Sequence, residues 1–221
     1  MANSQQAPPP SERTTVRRRS NRAAYDRATI AAILDEALFC HVGFSVENQP
    51  YVIPTIHARD GDHLILHGAA ASRMLRIGSE GVPLCVTVTL LDGLVLARSA
   101  FHHSMNYRSV VILGTAREIV EREARIAAMR TLVEHVAPGR WAEVRPPSDE
   151  ELVATRILTL PIAEASAKVR SGPPVDAEAD YALGVWAGEL PLRLEPARPI
   201  RDPRLDAAIQ LPEYLANYRR P

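Results

Sequence analysis

The sequence has no net charge: 26 lysines and arginines stand against 26 aspartates and glutamates. It therefore raises no overall field of the kind that gathers nucleic acid or anionic lipid, and neither is expected as a partner. No apolar run is long enough to span a bilayer, and the first twenty residues carry proline and arginine rather than an apolar leader segment. Cysteine is scarce. Cys40 and Cys85 each sit inside an alternating apolar run and not at metal-ligand spacing, which predicts buried free thiols in a reducing, cytoplasmic setting. A glycine-rich dinucleotide fingerprint, GxxxxGK[ST], HExxH and G-x-S-x-G are all missing, which removes the common nucleotide-cofactor and hydrolase folds. His57, His63, His67, His102 and His103 lack carboxylates at short spacing and form no helical pair, so no metal site is expected. Ser104 beside His102 and His103 is adjacency in sequence, which does not make triad geometry.

The 221 residues are 46% hydrophobic, enough for one full core with extensions. Residues 1–22, polar, proline-rich and then basic through Arg17–Arg19, have too little apolar surface to fold alone and are expected to be a disordered arm. Residues 23–169 form the expected domain. Asp26 caps a helix whose Ile30, Ile33 and Leu34 share a face. Strands then follow at 39–46, 51–58 and 63–67, separated by the short turn-formers ENQP and RDGD, as in an antiparallel meander. Pro54 cannot donate to a ladder, which places its strand at an edge or a bulge and leaves the backbone at Ile53 and Thr55 available.

The stretch LILHGAAASR, residues 64–73, ends a strand in small residues and opens a helix at Ser72 beside Arg73. Free N–H donors and a guanidinium there make a corner suited to phosphate. A further strand alternates Leu84, Val86, Val88 and Leu90 against Cys85, Thr87 and Thr89, and Asp92-Gly93 reads as a turn. FHHSMNYR, 101–108, is dense in hydrogen-bonding side chains and leads into the strand 109–119, where Gly114 predicts a bulge or close approach. Helices are expected at 121–136 and after Pro146-Pro147, and a strand over 156–169 closes a barrel. The Gly/Pro-rich residues 170–221, with Tyr181 and Trp186, read as an extension packing on the barrel or a partner.

YVIPTIHARDGDHLILHGAAASRM, SMNYRSVVILGTAREI and RILTLPIAEASAKVRSG, in that order, resemble the pyridoxamine 5'-phosphate oxidase-like FMN-binding split-barrel superfamily, on the branch that includes the nitroimidazole-resistance proteins. The resemblance covers about residues 25–190. It implies a mainly β (α+β) fold, a six-stranded antiparallel split barrel with flanking helices. It further implies a homodimer with FMN in two clefts between subunits. By the same resemblance Ile53, Pro54 and Thr55 face the flavin ring and Ser72 and Arg73 hold its phosphate. His67 matches a histidine near the flavin, and Asn106, Tyr107 and Arg108 match the cofactor-binding motif at the start of the long central strand; histidine's ordinary pKa near neutrality would suit His67 to give a proton to a reduced substrate. The implied activity is an FMN-dependent oxidoreductase acting on a small molecule. The alternative is a non-catalytic flavin or haem carrier of the same fold, with His67, His102 or His103 as haem ligand. The chain lacks the terminal Arg-x-His of the vitamin-forming oxidases, which speaks against pyridoxamine phosphate as substrate.

Overall fold

The structure, a computed structural model, describes residues 7–219. Its elements run β1 Ala23–Ala24, α1 Arg27–Glu36, β2 Phe39–Val46, β3 Gln49–Asp60, β4 His63–Ala69, α2 Arg73–Ser79, β5 Pro83–Leu96, β6 Ser104–Thr115, β7 Arg117–Glu118, α3 Arg122–Val136, α4 Asp149–Ala154, β8 Thr155–Pro161, β9 Ala165–Arg170, β10 Gly188–Pro191 and α5 Glu213–Ala216. Among the described residues no helix is long and apolar enough to cross a membrane.

The strands form one sheet in the order β1-β9-β6-β5-β2-β3-β4-β8-β7, with β10 added to β5. Every pairing is antiparallel, as the short connections of the meander require. The split of the barrel lies between β8 and β9. These two are consecutive in the chain, yet β8 pairs with β4 at one margin of the sheet and β9 with β6 at the other. The three-residue link between them is pinned at both ends: Ile162 N–H donates to Asp62 O (2.9 Å) and Leu113 N–H to Glu164 O (2.9 Å). The sheet thus curls round without closing its ladder.

The alternation of the strands supplies the core. Cys40, Val42 and Phe44, Leu84, Val86 and Val88, and Val110 and Ile112 point inward and meet Leu158 and Leu160. The apolar face of α1, with Asp26 accepting from Thr29 N–H at its start (2.8 Å), packs on the same core. Each of these side chains contributes about 1.5–3 kcal/mol by leaving water. A second, smaller cluster forms outside the sheet, where Ala128 and Leu132 of α3 cover Ala58, Ile65 and Ile157.

Four expectations change. The strand expected over 156–169 is two strands, because one end must reach β4 and the other β6. The six strands become ten, through that division and the short β1, β7 and β10. Asp92-Gly93 is a bulge inside β5 rather than a turn: the register against β6 shifts between Leu91 and Gly93, and a Cβ at Gly93 would lie 2.9 Å from Leu190 O of β10. Finally, residues 7–22 of the expected disordered arm are folded onto the barrel, while residues 1–6 of that expectation, and 220–221 of the extension, lie outside the described residues. Two 3-10 turns, at Glu12–Thr14 and Ser20–Arg22, bury Thr14, and the segment meets the barrel at three places: Lys168 Nζ of β9 donates to Arg18 O (3.0 Å), Val16 N–H donates to Tyr25 Oη ahead of α1 (2.8 Å), and Arg13 pairs with Glu164 of the β8–β9 link. A segment too polar to build its own core is ordered by borrowing partners from one that exists.

Candidate functional site

The turn from β4 to α2 is closed by backbone bonds, Ala70 N–H to Ala154 O (2.8 Å) and Ser72 N–H to Ala69 O (2.8 Å), which bring Ser72 and Arg73 to the surface at a fixed corner. The Ser72 side chain makes no capping bond, so its hydroxyl is uncommitted. Arg73 is exposed, and among the described residues no carboxylate lies within ion-pair distance of it. Its guanidinium carbon sits 4.8 Å above the Tyr51 ring, and Tyr51 stacks on Phe44 with centroids 5.5 Å apart and 17° between planes. Stacking holds the cation through its face and leaves the N–H fork free for an anion.

Tyr51 also joins this corner to the strand that carries Pro54. From Gln49 to Ile56, β3 pairs with β2 alone, and its pairing with β4 begins only at His57. The main chain at Ile53, Pro54 and Thr55 therefore has an open edge, where a residue without an N–H costs no ladder bond. Ile53, Pro54, Thr55, Ser72 and Arg73 are thus on neighbouring elements bridged by Tyr51. His67 lies on β4, opposite Ile157, on the side covered by α3. Its Nδ1 is buried without a hydrogen-bond partner, and burial pushes its pKa below the ordinary value for histidine. At neutral pH the ring is mostly uncharged, so a standing imidazolium as proton donor is not what this environment favours.

The other three candidates lie on β6, where Arg108 and Asn106 are engaged within the chain. Arg108 forms a double fork: Nε and Nη2 donate to Asp92 (3.0 and 2.7 Å), Nη2 donates to Glu36 Oε1 (2.8 Å) and Nη1 to Glu36 Oε2. These bonds, Glu36 first and Asp92 second, raise its pKa further above the ordinary arginine value. Its donors are thus committed to two carboxylates of its own chain. Asn106 is buried, accepting from Arg170 at Oδ1 and donating to Glu189 of β10 at Nδ2. Arg170 goes on to Gly172 O (2.8 Å) and Pro173 O (3.0 Å). Tyr107, half-buried, pairs with Leu91 and Arg170 across the ladders. The FHHSMNYR cluster thus clips α1, the β5 bulge and the C-terminal extension together within this chain.

Sequence reasoning missed Glu36, Asp92, Arg170 and Glu189, whose roles depend on strands distant in the chain. It also missed a cleft of about 900 Å³ floored by Glu36 and Arg108, walled by Phe39, Leu90 and Leu91, and roofed by residues 191–196 of the extension. His102 and His103 lie near a third clip, where Arg98 donates to the buried Asp176 (Nη1 to Oδ2, 3.0 Å) and stacks 4.8 Å over Tyr181. His103 Nδ1 meets Ser99 O at 2.9 Å. No histidine lines the cleft, and His67 is separate from this pair.

The model of the family described as "Pyridoxamine 5'-phosphate oxidase" matches residues 26–169. Comparison with curated proteins gives no match. Among solved structures, the flavocytochrome Anf3 from Azotobacter vinelandii is 41% identical with a TM-score of 0.91, covering 96% of this chain and 99% of its own. The FAD and haem binding protein from Mycobacterium smegmatis is 35% identical with a TM-score of 0.85, covering 89% of this chain and 96% of its own. A Bacteroides thetaiotaomicron protein named for 5-nitroimidazole antibiotic resistance shares the fold at 24% identity and a TM-score of 0.55, covering 66% of this chain and 86% of its own.

Proposed function

Because the chain belongs to the pyridoxamine 5'-phosphate oxidase family, we propose that it is a flavin-nucleotide-binding redox protein, an oxidoreductase acting on a small molecule in the cytoplasm. The observation that carries the reading is Arg73: a guanidinium without a carboxylate partner, held over Tyr51 beside an uncommitted Ser72 hydroxyl and an open strand edge. The residues present fit the group. Arg73 and Ser72 would take the phosphate and the edge at Ile53–Thr55 would align the ring, while the buried Nδ1 of His67 has no partner within the chain. The flavin when bound would supply hydride or single-electron transfer; the chain supplies position, charge complementarity and an apolar wall that excludes water. His67 then serves as a neutral hydrogen-bonding group. Phe39, Val52 and Ile56, exposed on the outer face of β2 and β3, favour a homodimer that shelters this edge.

The relatives shift the expected nucleotide from FMN toward FAD, since the mycobacterial protein is named for FAD and haem. A second reading, flavin together with haem, is favoured because these two similar structures span this chain almost completely and so include its extension. The cleft roofed by that extension offers apolar walls but no imidazole, thiol or thioether, and its Tyr218 hydroxyl is committed to Val136 O, so this chain's cleft alone does not fit haem and no step is assigned to it.

The test is the absorption spectrum of freshly purified protein, the mass of any released flavin, and flavin titration of Arg73→Glu. Losing charge-assisted hydrogen bonds worth about 1.5–3 kcal/mol lowers affinity by roughly 10- to 150-fold. A colourless protein that takes up no flavin, or equal affinities for wild type and variant, refutes the reading.

A further inference from the structure

From Glu189 through Leu211 every residue is exposed, although the segment is fastened to the body at both ends. At one end β10 pairs with β5 and Leu192 N–H donates to Asp92 O (3.0 Å). At the other, Tyr214 Oη donates to Glu143 (2.6 Å) and Tyr218 Oη to Val136 O (2.7 Å). Between these anchors, among the described residues, the hydrogen bonds of 193–211 stay within the segment: Arg201 Nη1 donates to Ile209 O (2.9 Å) and Nη2 to Asp206 O, and Asp202 and Asp206 cap turns. Pro196, Pro199 and Pro203 stiffen the backbone. The result is a shaped arm that lies over its own cleft as far as Pro196 and beyond it is ordered by its own bonds.

Its side chains are those of an interface. Ile200 is 97% exposed and Leu194 83%, with Ile209 and Leu211 also open to solvent. The same chain leaves a second apolar surface bare. In the register of β2 and β3, Phe39 lies opposite Ile56 and Gly43 opposite Val52, so Phe39, Val52 and Ile56 share one outer face, with Phe39 52% and Val52 65% exposed. The total surface gives the scale. The chain exposes 14284 Å² at a mass of 24.3 kDa, whereas a globular monomer of that mass exposes roughly 10,000 Å². The excess, about 4,000 Å² per chain, is more than the roughly 1,000–2,500 Å² that each partner of an obligate homodimer buries, so it leaves ample surface for such an interface.

We infer that the 197–211 part of the arm embraces a second copy of this chain, laying Ile200 and Ile209 against the outer face formed by the partner's β2 and β3. A two-fold exchange covers both bare surfaces at once, whereas any other partner would have to offer a groove for the arm and a cover for the sheet. The internal bonds and prolines lower the ordering cost of that contact. Because β3 also carries the open edge at Ile53–Thr55, the arm would complete its partner's site rather than its own. The inference rests on the dimeric part of the reading above and not on the flavin.

The experiment is sedimentation of the full-length protein, wild type beside the double variant Ile200→Asp/Ile209→Asp, with a photo-crosslinking residue at position 200 in an otherwise wild-type chain. The expected results are a wild-type dimer, a dissociation constant raised at least 50-fold in the double variant, and inter-chain crosslinks to peptides containing Phe39, Val52 or Ile56. A dissociation constant within threefold of wild type, or crosslinks confined to one chain, overturns the arm while leaving the dimer standing. A double variant that fails to fold leaves the crosslink to decide. A monomeric wild type at 100 µM overturns dimer and arm together, and a dimer without flavin counts against the cofactor alone.

Discussion

Replacing Arg108 with glutamine separates two roles that its position near a polar motif confounds. The guanidinium makes hydrogen bonds to both Glu36 and Asp92, and the three side chains are 31%, 27% and 34% exposed. Glutamine keeps much of the volume but removes the guanidinium that bridges Glu36 and Asp92. Breaking a buried pair costs about 3–5 kcal/mol, and a fully exposed one less than about 1 kcal/mol. At one-third exposure, with two partners lost together, about 2–3 kcal/mol is expected. For a chain of this size that lowers Tm by roughly 5–10 °C. Flavin affinity at saturating folded protein should stay within about twofold, because the Arg73 corner is untouched. Differential scanning calorimetry and fluorescence titration at a temperature well below both transitions read the two quantities separately. A variant with unchanged Tm and lost flavin binding would refute the reasoning, and would return Arg108 to the cofactor.

Burial pushes the Cys40 thiol up to about 12, so in the folded state it stays protonated where an unfolded thiol, near 8.5, ionises. That contribution to stability is full below about pH 8.5 and is lost as pH rises toward 12, at up to about 1.4 kcal/mol per pH unit; iodoacetamide at pH 8 should label Cys40 only in denaturant. For His67 the sign is opposite. Its lowered pKa means the unfolded chain takes up the proton first, so stability is present above about pH 6.5 and falls below it, and His67→Leu should flatten the acid limb of urea midpoints measured against pH. At Gly78 an added Cβ would lie 2.7 Å from Leu158 Cδ1 in the core, so Gly78→Ala should cost about 1–3 kcal/mol by overpacking, read in the same urea titration.

The strands of the meander were legible because their alternation is strict: Leu84, Val86 and Val88 could face only one way. Pro54 marked an edge and Ser72-Arg73 a corner for the same reason, each depending on residues within one turn of itself. What was not legible depended on distance along the chain. Arg108 reads as a free cation until Glu36, 72 positions away, is seen beside it. Asn106 reads as a polar mouth until Arg170 and Glu189 close on it. The division of 156–169 was hidden because apolar residues run through both halves, and only the need to reach two margins of the sheet breaks them apart. The folding of residues 7–22 carried little local signal, since Glu164 and Lys168, which hold it, lie some 150 positions away.

The three-residue link between β8 and β9 bears on how the chain is made. Until residues 155–170 have left the ribosome, the strands already synthesised hold two raw margins, β4 on one side and β6 on the other, with Leu64, Leu66, Val110 and Ile112 unshielded. Raw margins invite pairing between neighbouring nascent chains. Residues 155–170 therefore cover both margins at once, β8 on β4 and β9 on β6.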